Sequence, residues 1–129
     1  MVDLRRSAIL SGNQAVAEIA EGPVFWLDEQ LPDIIAIVTW DTGGFVDWTE
    51  ADSNPHLYIS RLNSEINLAD IAGVATNVVP TKGEQRFTFA SNIFTSPGQY
   101  IAQIIGTFSA KTHRTQRFLI EVLDSVPAP

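Results

Sequence analysis

Two histidines are the side chains in this sequence that could transfer protons near neutral pH. His56 follows a proline at the start of a strand-like segment, and His113 lies at a predicted hairpin turn, so we expect both to be exposed and non-catalytic. The sequence has no cysteine and no Gly-x-Ser-x-Gly segment. A thiolate nucleophile and the serine elbow of α/β-hydrolases are therefore excluded. We expect a protein that is not an enzyme and has no cofactor.

Four carboxylates stand close together between two predicted strands: Asp41, Asp47, Glu50 and Asp52. Calcium sites collect carboxylate oxygens from loops, which makes this segment worth testing as a metal site. The spacing of the four residues does not match an EF-hand loop. An exposed acidic loop is the favoured interpretation, and we expect no bound metal.

The three tryptophans suggest sugar binding as one alternative, because an exposed indole can stack on a sugar ring. Indoles also anchor cores and protein interfaces. Trp40 ends an apolar segment, which predicts burial in the core. Residues 24–27 form an apolar cluster that a sheet edge or another subunit is expected to cover. The candidate interface residues are Phe25, Trp26, Leu27 and Trp48.

The segment Ser-Pro-Gly-Gln-Tyr at residues 96–100 precedes a strand-like apolar run. The order Gly98, Tyr100, Ala102 is typical of a tyrosine corner, in which the tyrosine hydroxyl bonds to backbone a few residues upstream. Pro97 fixes its own φ angle, and Gly98 tolerates a positive φ, so the pair favours a sharp turn. An ordinary β-turn with a tyrosine at the rim is the alternative.

Short extended segments separated by turns must position these residues. The predicted strands cover residues 14–20, 33–40, 56–62, 85–90, 98–108 and 113–123. Residues 63–80 fit either a helical turn or a strand, and no long amphipathic helix is evident. The pattern predicts an all-β, immunoglobulin-like β-sandwich with extended terminal arms. We expect an amino-terminal arm at residues 1–13, the sandwich at 14–123 and a carboxy-terminal tail at 124–129.

Composition limits the partners. The 129 residues are 45% hydrophobic and 18% charged, as expected for one folded domain. The net charge is −7, and the acidic residues are concentrated in residues 1–70, so we expect no nucleic-acid partner. The longest apolar run, at residues 34–38, is too short for a membrane helix, and the amino terminus does not fit a secretory signal.

Several segments together resemble the immunoglobulin-like domains of tailed-phage virion proteins, including the amino-terminal domain of upper baseplate proteins. The matching segments are Val46-Asp47-Trp48-Thr49, Phe87 with Phe89, Pro97-Gly98-Gln99-Tyr100 and residues 115–122. Trp48 stands where the family usually has leucine. The resemblance covers about residues 41–123.

This resemblance implies a non-enzymatic structural protein of a tailed-bacteriophage virion, located in the virion after assembly in the host cytoplasm. Its expected partners are copies of itself and other virion proteins, and neither nucleic acid nor a membrane. A tail or baseplate position is slightly favoured. The alternatives are a capsid decoration protein and a carbohydrate-binding or host-adhesion module that uses the tryptophans.

Overall fold

A computed structural model describes residues 2–11, 20–40, 44–64 and 66–124. Within these ranges the chain forms nine strands: β1 Val2–Ser11, β2 Ala20–Trp26, β3 Ile34–Trp40, β4 His56–Arg61, β5 Asn67–Ala72, β6 Glu84–Phe87, β7 Gly98–Phe108, β8 Lys111–Thr115 and β9 Phe118–Leu123. Two 3-10 turns cover Trp48–Glu50 and Pro80–Lys82. The predicted all-β class is confirmed. Over the same ranges, the structure has no helix with the length and apolar character needed to cross a membrane.

The strands form the two layers of a sandwich. One layer has the order β5-β4-β7-β9-β2, and the other contains β1, β3 and β6. The pairings β1–β3 and β2–β9 are parallel, and the remaining strand pairs are antiparallel. Strand β8 joins the layers, because it pairs with β7 on one side and with β1 on the other.

Alternate residues of the central strands fill the space between the layers, as the two-residue period of a strand requires. Phe87 and Phe89 are both buried, which confirms the face predicted for them. The buried strand residues also include Ile34, Ala36 and Val38 of β3, Leu57 and Ile59 of β4, Tyr100, Ala102 and Ile104 of β7, and Phe118, Ile120 and Val122 of β9.

The predicted strand at residues 113–123 is divided into β8 and β9 by a bulge. Residues 115–117 lie opposite residues 103–104 of β7, so the last strands have one extra residue. The Thr115 hydroxyl accepts a hydrogen bond from the Ile104 N–H at 3.0 Å, and the Thr115 carbonyl accepts one from Gln103 Nε2 at 2.8 Å. The fully buried Thr115 thus provides a hydrogen-bond acceptor for the Ile104 N–H where the bulge interrupts the strand pairing.

The structure describes residues 2–11 of the predicted amino-terminal arm and residue 124 of the predicted tail. Val2–Ser11 forms β1, which runs parallel to β3 and ends in a pairing with β8. The strand predicted at residues 14–20 lies outside the described residues except for Ala20, which begins β2. Residues 125–129 of the predicted tail also lie outside the described residues.

Residues 63–80, for which the sequence fits either a helical turn or a strand, contain β5 and a segment that passes from one layer to the other. After β5 the chain passes through Gly73 to Val74, whose N–H and C=O both bond to Arg86 of β6 at 2.9 Å. A Cβ at Gly73 would lie 2.9 Å from both Gln85 Oε1 and Cε1 of the buried Phe87 ring, so a side chain here would displace both. This crossing closes one side of the sandwich.

Candidate functional site

The turn before β7 has the geometry that the tyrosine-corner hypothesis requires. The Tyr100 hydroxyl donates a hydrogen bond to the Ser96 carbonyl at 2.7 Å, and the ring is buried. Gly98 has a φ angle of 138°, which a residue with a side chain rarely adopts. Ala102 is fully buried two residues farther along β7, and Pro97 is exposed. These contacts hold the chain in the sharp turn at the start of β7.

Arg61, which sequence reasoning did not identify, supports the same turn from β4. Its guanidinium donates to the Ser96 hydroxyl at 2.7 Å, and its Cζ lies 5.4 Å from the centre of the Tyr100 ring. The ring centre of Phe94 lies 4.6 Å from that of Tyr100. Arg61 is opposite Tyr100 in the β4–β7 register, a relationship that only the pairing of distant strands reveals.

Two of the four predicted interface residues, Phe25 and Trp48, lie in the core, which corrects their assignment. Phe25 is 1% exposed and packs edge-to-face on Phe89. Trp48 is 6% exposed, and its Nε1 donates to the Gly83 carbonyl at 3.0 Å. Its ring covers Gly106, where an added Cβ would lie 2.7 Å from the indole. Neither side chain is accessible to a partner.

Trp26 is exposed, as an interface residue must be, and Leu27 is half-buried against the core. The alternation of β2 places Val24 and Trp26 outward, with exposed fractions of 46% and 42%, on either side of buried Phe25. Trp26 lies opposite Leu123 in the pairing with β9. We define the β2 patch as Val24, Trp26 and Leu123. In the described part of the chain, β2 pairs on one side only.

The histidines do not come together with each other or with a nucleophile among the described residues. His56 Nδ1 contacts the Asp70 carboxylate on the outer surface of β4 and β5. His113 is half-buried, which differs from the predicted exposed position, because its ring packs edge-on against Trp40 at 5.3 Å and Phe108 at 5.9 Å. Trp40 packs against the core but is half-buried, so it is less enclosed than the core position predicted for it.

Two carboxylates of the acidic segment, those of Asp47 and Asp52, accept hydrogen bonds from turns of the chain. Asp47 accepts hydrogen bonds from the backbone N–H and the hydroxyl of Thr49, at 3.0 and 2.6 Å. The Asp52 carboxylate accepts from Ser109 N at 3.1 Å and Ala110 N at 2.8 Å, which holds the β7–β8 turn. Glu50 is exposed, and Asp41 lies outside the described residues. No group of three or more possible metal ligands occurs in the described ranges.

A concave region of about 610 Å³ lies on the outer surface of β4 and β7. We call it the Arg117 concavity, and its lining includes Tyr58, Ser60, Asn67, Ile101, Gln103 and Arg117. Sequence reasoning did not find it. Its residues come from β4, β5, β7 and the link between β8 and β9, so no local motif marks it.

No protein-family model matches this chain, and a search of curated proteins found no match. The functional proposal therefore depends on the sequence resemblance and on the geometry of the surface.

Proposed function

We propose that this chain is a non-enzymatic structural protein of a tailed-bacteriophage virion, which assembles through contacts with copies of itself and other virion proteins. A tail or baseplate position is favoured over the capsid surface. The immunoglobulin-like form of the sandwich is part of this proposal, and the hydrogen bond between Tyr100 and Ser96 supports it.

The β2 patch is the observation that carries the proposal. It places an exposed indole beside an exposed valine on a strand that pairs with one neighbour in the described part of the chain. Tryptophan is enriched among the residues that dominate binding energy at protein interfaces. An edge strand also presents backbone donors and acceptors that a second chain can pair with. This patch therefore suits contact with another protein.

The roles of the polar residues support a structural rather than catalytic function. The carboxylates of Asp47 and Asp52 bond to turns of the protein itself. His113 packs among aromatic rings, and His56 contacts the carboxylate of Asp70. Each of these groups thus interacts with other residues of the same chain.

Matched lysine substitutions test the contact role of the β2 patch. Val24→Lys introduces a charge into the patch, whereas Val79→Lys introduces the same charge at a valine of similar exposure, 43%, outside it. Light scattering of the purified proteins should show defined oligomers for the wild type and for Val79→Lys, and monomers for Val24→Lys. Circular dichroism confirms that both variants remain folded.

Mass spectrometry of purified virus particles tests the virion assignment. The chain should be present in intact particles, and rings around the tail axis in electron micrographs would favour the tail over a capsid position. A wild-type protein that stays monomeric and is absent from particles contradicts the proposal. Wild-type oligomers that Val24→Lys leaves intact would support assembly through a surface other than β2.

A further inference from the structure

The Arg117 concavity is built from outward-facing residues of paired strands. Tyr58 of β4 lies opposite Gln103 of β7, and Ser60 lies opposite both Ile101 and Asn67. Because residues directly opposite in a sheet share a face, these side chains gather on the outer surface of the layer. The volume of about 610 Å³ lies within the usual range of small-molecule sites.

Two amides of the concavity are oriented by hydrogen bonds from their nitrogens to backbone carbonyls. Gln103 donates its Nε2 hydrogen to the Thr115 carbonyl at 2.8 Å, which leaves Oε1 as an acceptor. When the Asn67 amide is assigned from its hydrogen-bonding surroundings, its Nδ2 donates to the carbonyls of Ile59 and Ala69, at 3.1 and 2.8 Å, and its Oδ1 is an acceptor. The concavity thus presents fixed acceptors to a ligand that carries hydroxyl groups.

Arg117 gives the concavity a positive charge. The side chain is exposed, and it has no ion pair with any residue that the structure describes. A guanidinium can bind a carboxylate through two parallel hydrogen bonds. Tyr58 adds a half-buried aromatic ring, whose centre lies 6.1 Å from that of the His56 ring.

We propose that the Arg117 concavity binds a saccharide that carries a carboxylate, such as a uronic or sialic acid unit. The hydroxyl groups of the sugar bond to Gln103, Asn67 and Ser60, its apolar ring face contacts Tyr58, and its carboxylate pairs with Arg117. The lining combines amide and hydroxyl groups with the side chains of Tyr58 and Ile101, a mixture that suits a sugar, which carries both hydroxyl groups and an apolar ring face. This inference does not depend on the virion assignment, since it concerns a different surface from the β2 patch.

A glycan array tests the inference with oligosaccharides of uronic and sialic acids, each printed beside its methyl ester. The methyl ester keeps the sugar hydroxyls and removes the negative charge. The wild-type protein should retain acidic glycans at least tenfold more strongly than their esters, because a hydrogen bond to a charged partner is worth more than one between neutral groups. The best acidic glycan is then titrated by calorimetry.

Three variants locate the site. Arg117→Ala should weaken binding of the acidic glycan about tenfold or more and remove the preference over the ester. Tyr58→Ala should weaken binding of both forms. Arg114→Ala, which removes an exposed arginine outside the concavity, should bind as the wild type does.

Three results would overturn the inference: no acidic glycan retained by the wild type, equal retention of acid and ester, or equal binding by Arg117→Ala and Arg114→Ala. None of these results depends on assembly, so failure here is distinct from failure of the virion proposal. Thermal unfolding of each variant verifies that the protein is folded when binding is measured.

Discussion

Trp48 donates its indole N–H to the carbonyl of Gly83 at 3.0 Å, inside the sandwich. The same carbonyl accepts the N–H of Val38 of β3 at 2.9 Å. A carbonyl oxygen has two lone pairs, and both are used here. The 3-10 turn that begins at Trp48 is therefore joined to β3 through one backbone atom of Gly83.

Replacing Trp48 by phenylalanine tests this link. The change removes the indole donor and part of the ring, so we expect a loss of about 1–3 kcal/mol in the free energy of unfolding. Trp26→Phe is the control, because Trp26 is exposed and should change stability by less than about 0.5 kcal/mol. Urea denaturation of both variants measures the difference. Equal losses would contradict the core position of Trp48.

Gly83 should not tolerate a side chain. Its φ angle is 77°, and an added Cβ would lie within 2.2 Å of the Val38 carbonyl oxygen, so Gly83→Ala should cost more than about 3 kcal/mol or prevent folding. Gly44→Ala is the matched control. Gly44 has a similar φ of 81° with no atom within 4 Å of the added Cβ, and its loss should be about 1 kcal/mol. Similar thermal stabilities of the two variants would argue against the close approach.

The hydroxyl of Tyr100 should contribute to stability, whereas the hydroxyl of Tyr58 should not. Tyr100→Phe removes the hydrogen bond to Ser96 and is expected to cost about 1 kcal/mol. Tyr58→Phe removes a hydroxyl on the outer surface of β4 and should leave the urea midpoint unchanged. If both variants are as stable as the wild type, the Tyr100 hydroxyl does not stabilise the turn before β7.

The β7–β8 turn is strained at two residues that are not glycine. Ser109 and Ala110 have φ angles of 51° and 63°, which glycine adopts more readily. Ala110→Gly should therefore raise the free energy of unfolding by about 1 kcal/mol. The control Ala72→Gly places glycine in the extended strand β5 and should lower it by about 0.5–1 kcal/mol. Differential scanning calorimetry distinguishes the opposite signs.

Strict alternation made β7 and the faces of Phe87 and Phe89 predictable, because burial follows a two-residue period whatever the partner strand. The hydrogen bond between Tyr100 and Ser96 was also predictable, since it joins residues close in the sequence, whereas the contacts of Arg61 with the same turn were not. The structure of residues 63–80 was not predictable, because the segment that passes between the layers at Gly73 pairs with β6, a strand that comes later in the chain.

The candidate sites were harder to predict than the strands. Phe25 and Trp48 belong to apolar sequence segments, and only the arrangement of the two layers shows that they face inward while Trp26 faces outward. The Arg117 concavity depends on the register between β4 and β7. β4 and β7 are not joined by a hairpin turn, so no turn motif in the sequence indicates that register.

The parallel pairing of β2 with β9 connects nearly opposite ends of the described chain. During synthesis β2 leaves the ribosome long before β9 exists. The layer that contains both strands requires pairing between distant segments and therefore forms slowly. The buried side chain of Phe25 and the edge of β2 that pairs with β9 therefore stay without their native partners until most of the described chain has been translated.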